Sequence, residues 1–213
     1  MPIFFDLDGT LSDPAEGIFA SLRFALAEIG QPLTITDSDL RSCIGPPLRD
    51  IFRHLLNTDE QEKIEQAVEA YRRRFASTGL FENKLYPGIT QLLSSLHARN
   101  QKLYVTTAKP HLYARRILEH FKIDNYFDAV FGPELNGARG TKREVVKHAL
   151  DLLTLEPSQV ILVGDSHYDV DAGIFFGLRT VYVSYGFSDV SSLRGLEPDH
   201  IIGTVTELEA CLM

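Results

Sequence analysis

Short apolar runs punctuate the chain at Ile3-Phe4-Phe5, Leu103-Tyr104-Val105-Thr106, Val160-Ile161-Leu162-Val163 and Thr180-Val181-Tyr182-Val183, with a briefer one at Ala129-Val130-Phe131. None alternates with polar residues, which is the pattern of a strand covered on both faces in a parallel sheet. Between them apolar residues recur at helical spacing: Leu92, Leu93 and Leu96; Ile117, Leu118 and Phe121; Val145, Val146, Ala149, Leu152 and Leu153. Strand and helix alternate from about residue 89 onward. That rhythm predicts an α/β fold, a doubly wound parallel sheet with helices on both faces.

The interval between the first two strands breaks the rhythm. Ile18, Leu22, Ala25, Leu26 and Ile29 mark one helix, Leu48, Ile51, Phe52 and Leu55 a second, and Ile64, Ala67, Val68, Tyr71 and Phe75 a third, with no strand among them. A crossover needs one helix, so this stretch predicts an inserted α-helical domain. Its hinges fall near Ser12-Asp13-Pro14 and Leu85-Tyr86-Pro87-Gly88, giving a core of residues 1–13 and 88–213 and an insertion of 14–87. Ligands of open α/β sheets bind at the carboxyl ends of the strands, the edge the insertion leaves from, so it is expected to cover a site there. Arg72-Arg73-Arg74 reads as a solvated helix face.

A chain of 213 residues, 44% hydrophobic and 23% charged, suits one core with a smaller inserted unit. With 29 acidic and 21 basic residues its net charge is −8, which argues against nucleic acid polymers and anionic membranes as partners. A phosphate-bearing ligand must then find a local positive site. Cys43 and Cys211 form no metal-ligand spacing and suit a reducing compartment. No basic leader and no run of roughly 18 apolar residues is present, so the expected location is cytoplasmic. The pattern sets no oligomeric state.

Chemistry concentrates where strands end. The first apolar run stops on Asp6 and Asp8, and Gly9 lets the chain turn away sharply. The second runs into Thr107-Ala108-Lys109-Pro110 ahead of a helix, where hydroxyl and N–H groups suit a phosphate. Lys142 opens another helix, and the fourth run ends in Gly164-Asp165 with Asp169 one turn on. Each has a bland reading: a strand-end threonine is commonly structural, a lone lysine solvated, and Asp169 a helix cap. Grouped at one sheet edge they are harder to dismiss. Two carboxylates about 4 Å apart repel by roughly 4 kcal/mol at an effective dielectric of 20, so such a cluster calls for a divalent cation. Oxygen ligands without histidine or cysteine favour Mg²⁺.

On these residues the chain resembles the haloacid dehalogenase superfamily. Asp6-Leu7-Asp8-Gly9-Thr10 matches its first motif, Thr107 its second, Lys142 its third and Gly164-Asp165-Ser166-His167-Tyr168-Asp169 its fourth. Asp13-Pro14-Ala15-Glu16-Gly17-Ile18, Ile44-Gly45-Pro46-Pro47-Leu48 and Lys109-Pro110 further resemble the phosphoglycolate phosphatase-like branch, which includes proteins described as 5′-nucleotidases, and the insertion resembles a small helical cap. The resemblance implies hydrolysis of a small soluble phosphate ester. Asp6 would be the nucleophile, Asp8 the acid and then base, and Thr107 and Lys142 the holders of the transferring group. It implies metal ligation by Asp6, the Asp8 carbonyl, Asp165 and Asp169, and substrate contacts from Gly9, Thr10, Ala108 and Lys109. Ala108 departs from the family's usual Asn or Ser and removes one side-chain contact. Arg49, after the Gly45-Pro46-Pro47 turn, is expected either to grip an anionic substrate tail or to form a surface salt bridge. A sugar-phosphate mutase on the same core, or a phospho-receiver that does not turn over, are the competing readings. A mutase would be expected to carry a basic cap loop where Ile44–Arg49 stands, and a receiver would carry its aspartate on the third strand.

Overall fold

In a computed structural model that describes residues 1–31 and 35–213, the chain divides into a compact unit of residues 1–13 and 85–213 and a second of residues 14–84. Residues 32–34 of the insertion lie outside the described residues. The chain opens with β1 (Ile3–Phe5) and the two-residue β2 (Ser12–Asp13). The second unit then supplies α1 (Ala15–Glu28), α2 (Asp37–Leu40), α3 (Leu48–Leu56) and α4 (Gln61–Arg74). After β3 (Lys84–Leu85) at the return crossing follow α5 (Ile89–Ala98), β4 (Leu103–Thr106), α6 (His111–His120), β5 (Ala129–Phe131) and α7 (Lys142–Leu153). The chain closes with β6 (Ile161–Gly164), α8 (His167–Phe176), β7 (Arg179–Val183), β8 (His200–Ile202) and α9 (Val205–Leu212).

Six of these strands form one sheet in the order β5-β4-β1-β6-β7-β8, and its described pairings are parallel. The chain builds outward from β1 through β4 to β5, then crosses back to β6 and continues to β7 and β8. Its direction therefore reverses beside β1, which is where such sheets open a crevice. The pleat decides what enters that crevice. Phe4 meets Tyr104 edge-on, with ring centroids 5.6 Å apart, in a core shared with Val145, Val146, Ala149 and Leu150 of α7. Burying such a side chain contributes about 2 kcal/mol. Residues two apart on a strand share a side, so Asp6, whose N–H extends the ladder to the Val163 carbonyl at 2.8 Å, follows Phe4 toward the start of α7.

The expected strands are present, and two features were not anticipated. β8 is a short edge strand with Ile201 half exposed, too brief and too mixed in polarity to announce itself. The return crossing falls at residue 84, before Tyr86-Pro87-Gly88, because the Tyr86 N–H donates to the Leu11 carbonyl at 3.1 Å within the larger unit.

Within the smaller unit, α1 packs on α4 through Ile18, Leu22, Ala25 and Leu26 and the facing Ile64, Ala67 and Val68. A Cβ on Gly17 would lie 2.0 Å from the Gly79 carbonyl, so a glycine there permits close backbone approach. Arg74 is not the solvated group the run of arginines suggested. Its guanidinium holds both Glu82 oxygens at 2.8 and 2.9 Å and the Ser21 hydroxyl at 3.0 Å. No helix among the described residues is long and apolar enough to cross a membrane.

Candidate active site

Lys142 owes its place to a capping box. Thr141 accepts from the Glu144 N–H while the Glu144 carboxylate accepts from the Thr141 N–H, which fixes the first turn of α7. The Lys142 ammonium is buried and lies 2.6 Å from Asp6 Oδ1, 2.7 Å from Asp169 Oδ1 and 2.8 Å from the Thr106 carbonyl. Hydrogen bonds to Asp6 and the Thr106 carbonyl and an ion pair with Asp169 thus surround it. Burial works to lower its pKa, but Asp169 and Asp6 outweigh burial and hold it above the ordinary lysine value. Asp6 shows the opposite balance. Burial raises its carboxyl to about 7 against the pull of Lys142, with Asp169 and Asp8 adding to the rise.

After Asp6 the chain winds into a tight loop. The Leu7 carbonyl accepts from the N–H groups of Leu11 and Ser12, at 2.9 and 3.0 Å, and the Gly9 N–H reaches the Ser12 carbonyl at 2.8 Å. Gly9 has φ +86°, and a Cβ there would lie 2.1 Å from Asp165 Oδ2, so only glycine fits. The turn aims the Asp8 carboxylate at Lys109, whose Nζ is 2.9 Å from Oδ1 and 2.8 Å from Oδ2. The backbone of Lys109 is itself fixed: its N–H donates to Thr107 Oγ1 at 3.1 Å, and the Thr107 N–H donates to the Phe131 carbonyl at 3.0 Å. Ala108 is exposed. The Thr10 and Thr106 hydroxyls are buried without a hydrogen-bond partner among the described residues.

The end of β6 supplies the remaining carboxylates. Gly164 is needed because a Cβ there would lie 2.2 Å from Asp169 Cγ. Asp169 is the third residue of α8, and its Oδ2 accepts from the Ser166 N–H at 3.2 Å and from the Ser166 hydroxyl, while its Oδ1 faces Lys142. Asp169 is therefore both a helix-capping group and a partner of the site lysine. Asp165 Oδ2 accepts from the Phe187 N–H at 2.8 Å. Burial first, then Asp6 and Asp169, raise the Asp165 pKa well above its ordinary value.

Ligand atoms of Asp6, Asp165 and Asp169 lie within 4.8 Å of one another, all buried. With Asp8 they make four carboxylates against two ammonium groups, Lys109 and Lys142, a formal charge of −2 when all are ionised. An all-oxygen donor set with that residual charge and two raised carboxyl pKa values fits one hard divalent cation.

The residues expected from the sequence at Asp6, Asp8, Gly9, Thr10, Thr107, Ala108, Lys109, Lys142, Asp165 and Asp169 all belong to the larger unit, Lys142 and Asp169 in the first turns of α7 and α8 and the others in the segments that follow β1, β4 and β6. Arg49 belongs to the smaller unit, where its guanidinium meets Glu65 at 2.5 and 2.9 Å in the salt-bridge arrangement. Sequence reasoning missed the segment after β7. The Tyr185 hydroxyl donates to the Thr10 carbonyl at 3.0 Å, and a Cβ on Gly186 would lie 2.4 Å from the Asp165 side chain and 2.5 Å from the Gly9 carbonyl. Its signal was available: Tyr185-Gly186-Phe187 is another glycine turn leaving a strand at the same edge.

Fold and site together define a doubly wound α/β enzyme whose centre is built from carboxylates and lysines at the switch point of the sheet. Residues 3–183 match the model of the haloacid dehalogenase-like hydrolases, and the chain belongs to that family. It is 41% identical over 213 residues to a 5′-nucleotidase of Pseudomonas aeruginosa, covering 99% of this chain and 94% of that one. It is 39% identical over 186 residues to the tyrosine-protein kinase PtkA of Mycobacterium tuberculosis, covering 87% of this chain and 62% of the kinase. Among solved structures, a predicted phosphatase from Clostridium acetobutylicum superposes with a TM-score of 0.92 at 38% identity, covering 99% of this chain and 96% of that one.

Proposed function

We propose that the protein is a Mg²⁺-dependent phosphomonoester hydrolase that acts on a small soluble phosphate ester through an aspartyl-phosphate on Asp6. The observation that carries this reading is that each aspartate after β1 has its own buried lysine, Lys142 at Asp6 and Lys109 at Asp8, beside two more carboxylates. Lys142 keeps Asp6 oriented and lowers the cost of ionising it in a buried place, as a nucleophile requires. Asp8 protonates the departing oxygen as the Asp6–phosphorus bond forms, then takes a proton from the water that cleaves that bond. Thr107 and the Ala108 N–H would face the transferred group, since the N–H groups of Thr107 and Lys109 are engaged within the turn. Asp6, the Asp8 carbonyl and Asp165 would hold Mg²⁺, with Asp169 directly or through water; bound there, the cation would neutralise charge on the phosphoryl oxygens.

The 5′-nucleotidase relative supports phosphoester chemistry, and with the motifs that resemble the phosphoglycolate phosphatase-like branch it leaves a 5′-nucleotide and a phosphoglycolate-like ester as the leading substrate classes. A screen of phosphate release over nucleoside monophosphates, phosphoglycolate, sugar phosphates and pyridoxal phosphate tests the reading. Many turnovers of at least one ester are expected with Mg²⁺ and none after EDTA. Asp6→Asn is expected to lower kcat by about 10³-fold or more. Activity that survives EDTA, or survives Asp6→Asn, would overturn it. The kinase relative calls for one further arm, because transfer to tyrosine would leave the phosphate on an added protein acceptor instead of in solution.

A further inference from the structure

We propose that Lys109 is the positioning residue for the proton-transfer aspartate, setting the direction in which the Asp8 carboxylate presents its proton; this inference rests on the phosphohydrolase reading. Its ammonium stands 2.8 and 2.9 Å from the two Asp8 oxygens, and its side chain is only 6% exposed. A single surface ion pair would carry little weight, since long side chains hold such geometry weakly. This pair is different because its lysine is built in. The Lys109 N–H is bonded to Thr107, Pro110 begins the approach to α6 with φ −49°, and Gly132 passes so close that a Cβ would lie 2.4 Å from the Lys109 carbonyl. Backbone and side chain are thus fixed together, and the motif that places Thr107 also places Lys109.

Asp8 needs such a partner. Its backbone leaves the strand at a turn, and its side chain retains 15% exposure where those of Asp6 and Asp169 retain 10% and 2%. A carboxylate free to rotate would deliver its proton along several directions, and misplacement of a catalytic group by about 1 Å can cost about 10²-fold. Lys109, within reach of both oxygens, restricts the rotation of the Asp8 carboxylate, while Lys142 holds Asp6 through Oδ1 alone. The two lysines are not interchangeable, since Lys142 serves the bond-forming group and Lys109 the proton-transfer group.

The experiment compares esters by leaving group. Phosphoglycolate and AMP expel an alkoxide and need the proton, whereas p-nitrophenyl phosphate expels a stable phenolate and does not. For Lys109→Met, kcat/KM for the alkyl ester that the wild type turns over is expected to fall about 10²-fold, and for p-nitrophenyl phosphate several-fold at most. The ratio of the two is unaffected by the fraction of protein that folds, so a destabilised variant still answers the question. Lys109→Arg, which restores a cation able to meet both oxygens, is expected to recover most of the ratio with little change in KM. An equal fall on both esters, including loss of both, would overturn the inference while leaving the hydrolase reading in place. A wild-type protein that turns over neither ester class would overturn the reading itself, and the inference with it.

Discussion

At Asp6, burial and charge act against each other, and burial wins in the metal-free protein. Its folded-state pKa, about 7 against an ordinary 3.8, means that the folded state binds this proton more tightly than the unfolded chain does. Stability from this group is therefore present at low pH and is lost as the pH rises from about 4 to about 7. Urea unfolding of the metal-free protein should show the midpoint falling between pH 5 and pH 7.5, and Asp6→Asn should flatten that slope. Added Mg²⁺ should raise the midpoint more at pH 7.5 than at pH 5, because protons and metal compete for the same oxygens. A wild-type slope unchanged by Asp6→Asn would refute the account of this residue. Removing the opposing charge by Lys142→Met strands two buried carboxylates, with an expected cost of about 3–5 kcal/mol. The residue identities were legible because strand-end aspartates, a helix-opening lysine and glycines carry direct chemical meaning. The partnership of Lys109 with Asp8 was not, since it joins positions about a hundred residues apart, and a lysine beside a phosphate-binding turn reads first as a phosphate contact.

Elements matter here mainly for how they end. The capping box of α7 places Lys142, and Thr141→Ala is expected to cost about 1 kcal/mol while lowering activity through the displaced lysine. The segment after β7 is a second support. In Gly186→Ala the added methyl would lie 2.4 Å from the Asp165 side chain and 2.5 Å from the Gly9 carbonyl, so one of them must shift. That variant should bind Mg²⁺ at least 10-fold more weakly in calorimetry, an expectation drawn from the cost of disturbing groups around a metal. Unchanged affinity would show the contact to be dispensable. Strands buried on both sides were readable as unbroken apolar runs, and α1, α3 and α4 as helical stripes. β8 was hidden because an edge strand is covered on one flank only and needs no continuous apolar run. The segment after β7 escaped notice because its contribution is a backbone N–H and the absence of a side chain.

On the scale of the whole molecule, every carboxylate and lysine assigned to the chemistry comes from the larger unit, whose fold gathers them from four separate stretches of sequence. The chain's net charge of −8 sharpens the contrast with the site, where two buried lysines supply the only described ammonium contacts to the clustered aspartates. The central claim is that Asp6 carries the phosphoryl group. It is tested most directly in Asp8→Asn, which loses the base for the second step but can still expel an aryl leaving group. Mixed rapidly with p-nitrophenyl phosphate and Mg²⁺, then reduced with borohydride and mapped by mass spectrometry, this variant should give a stoichiometric burst of nitrophenol and reduction at Asp6. Slow linear release without a burst, or a reduced carboxyl at any other aspartate, would contradict the account.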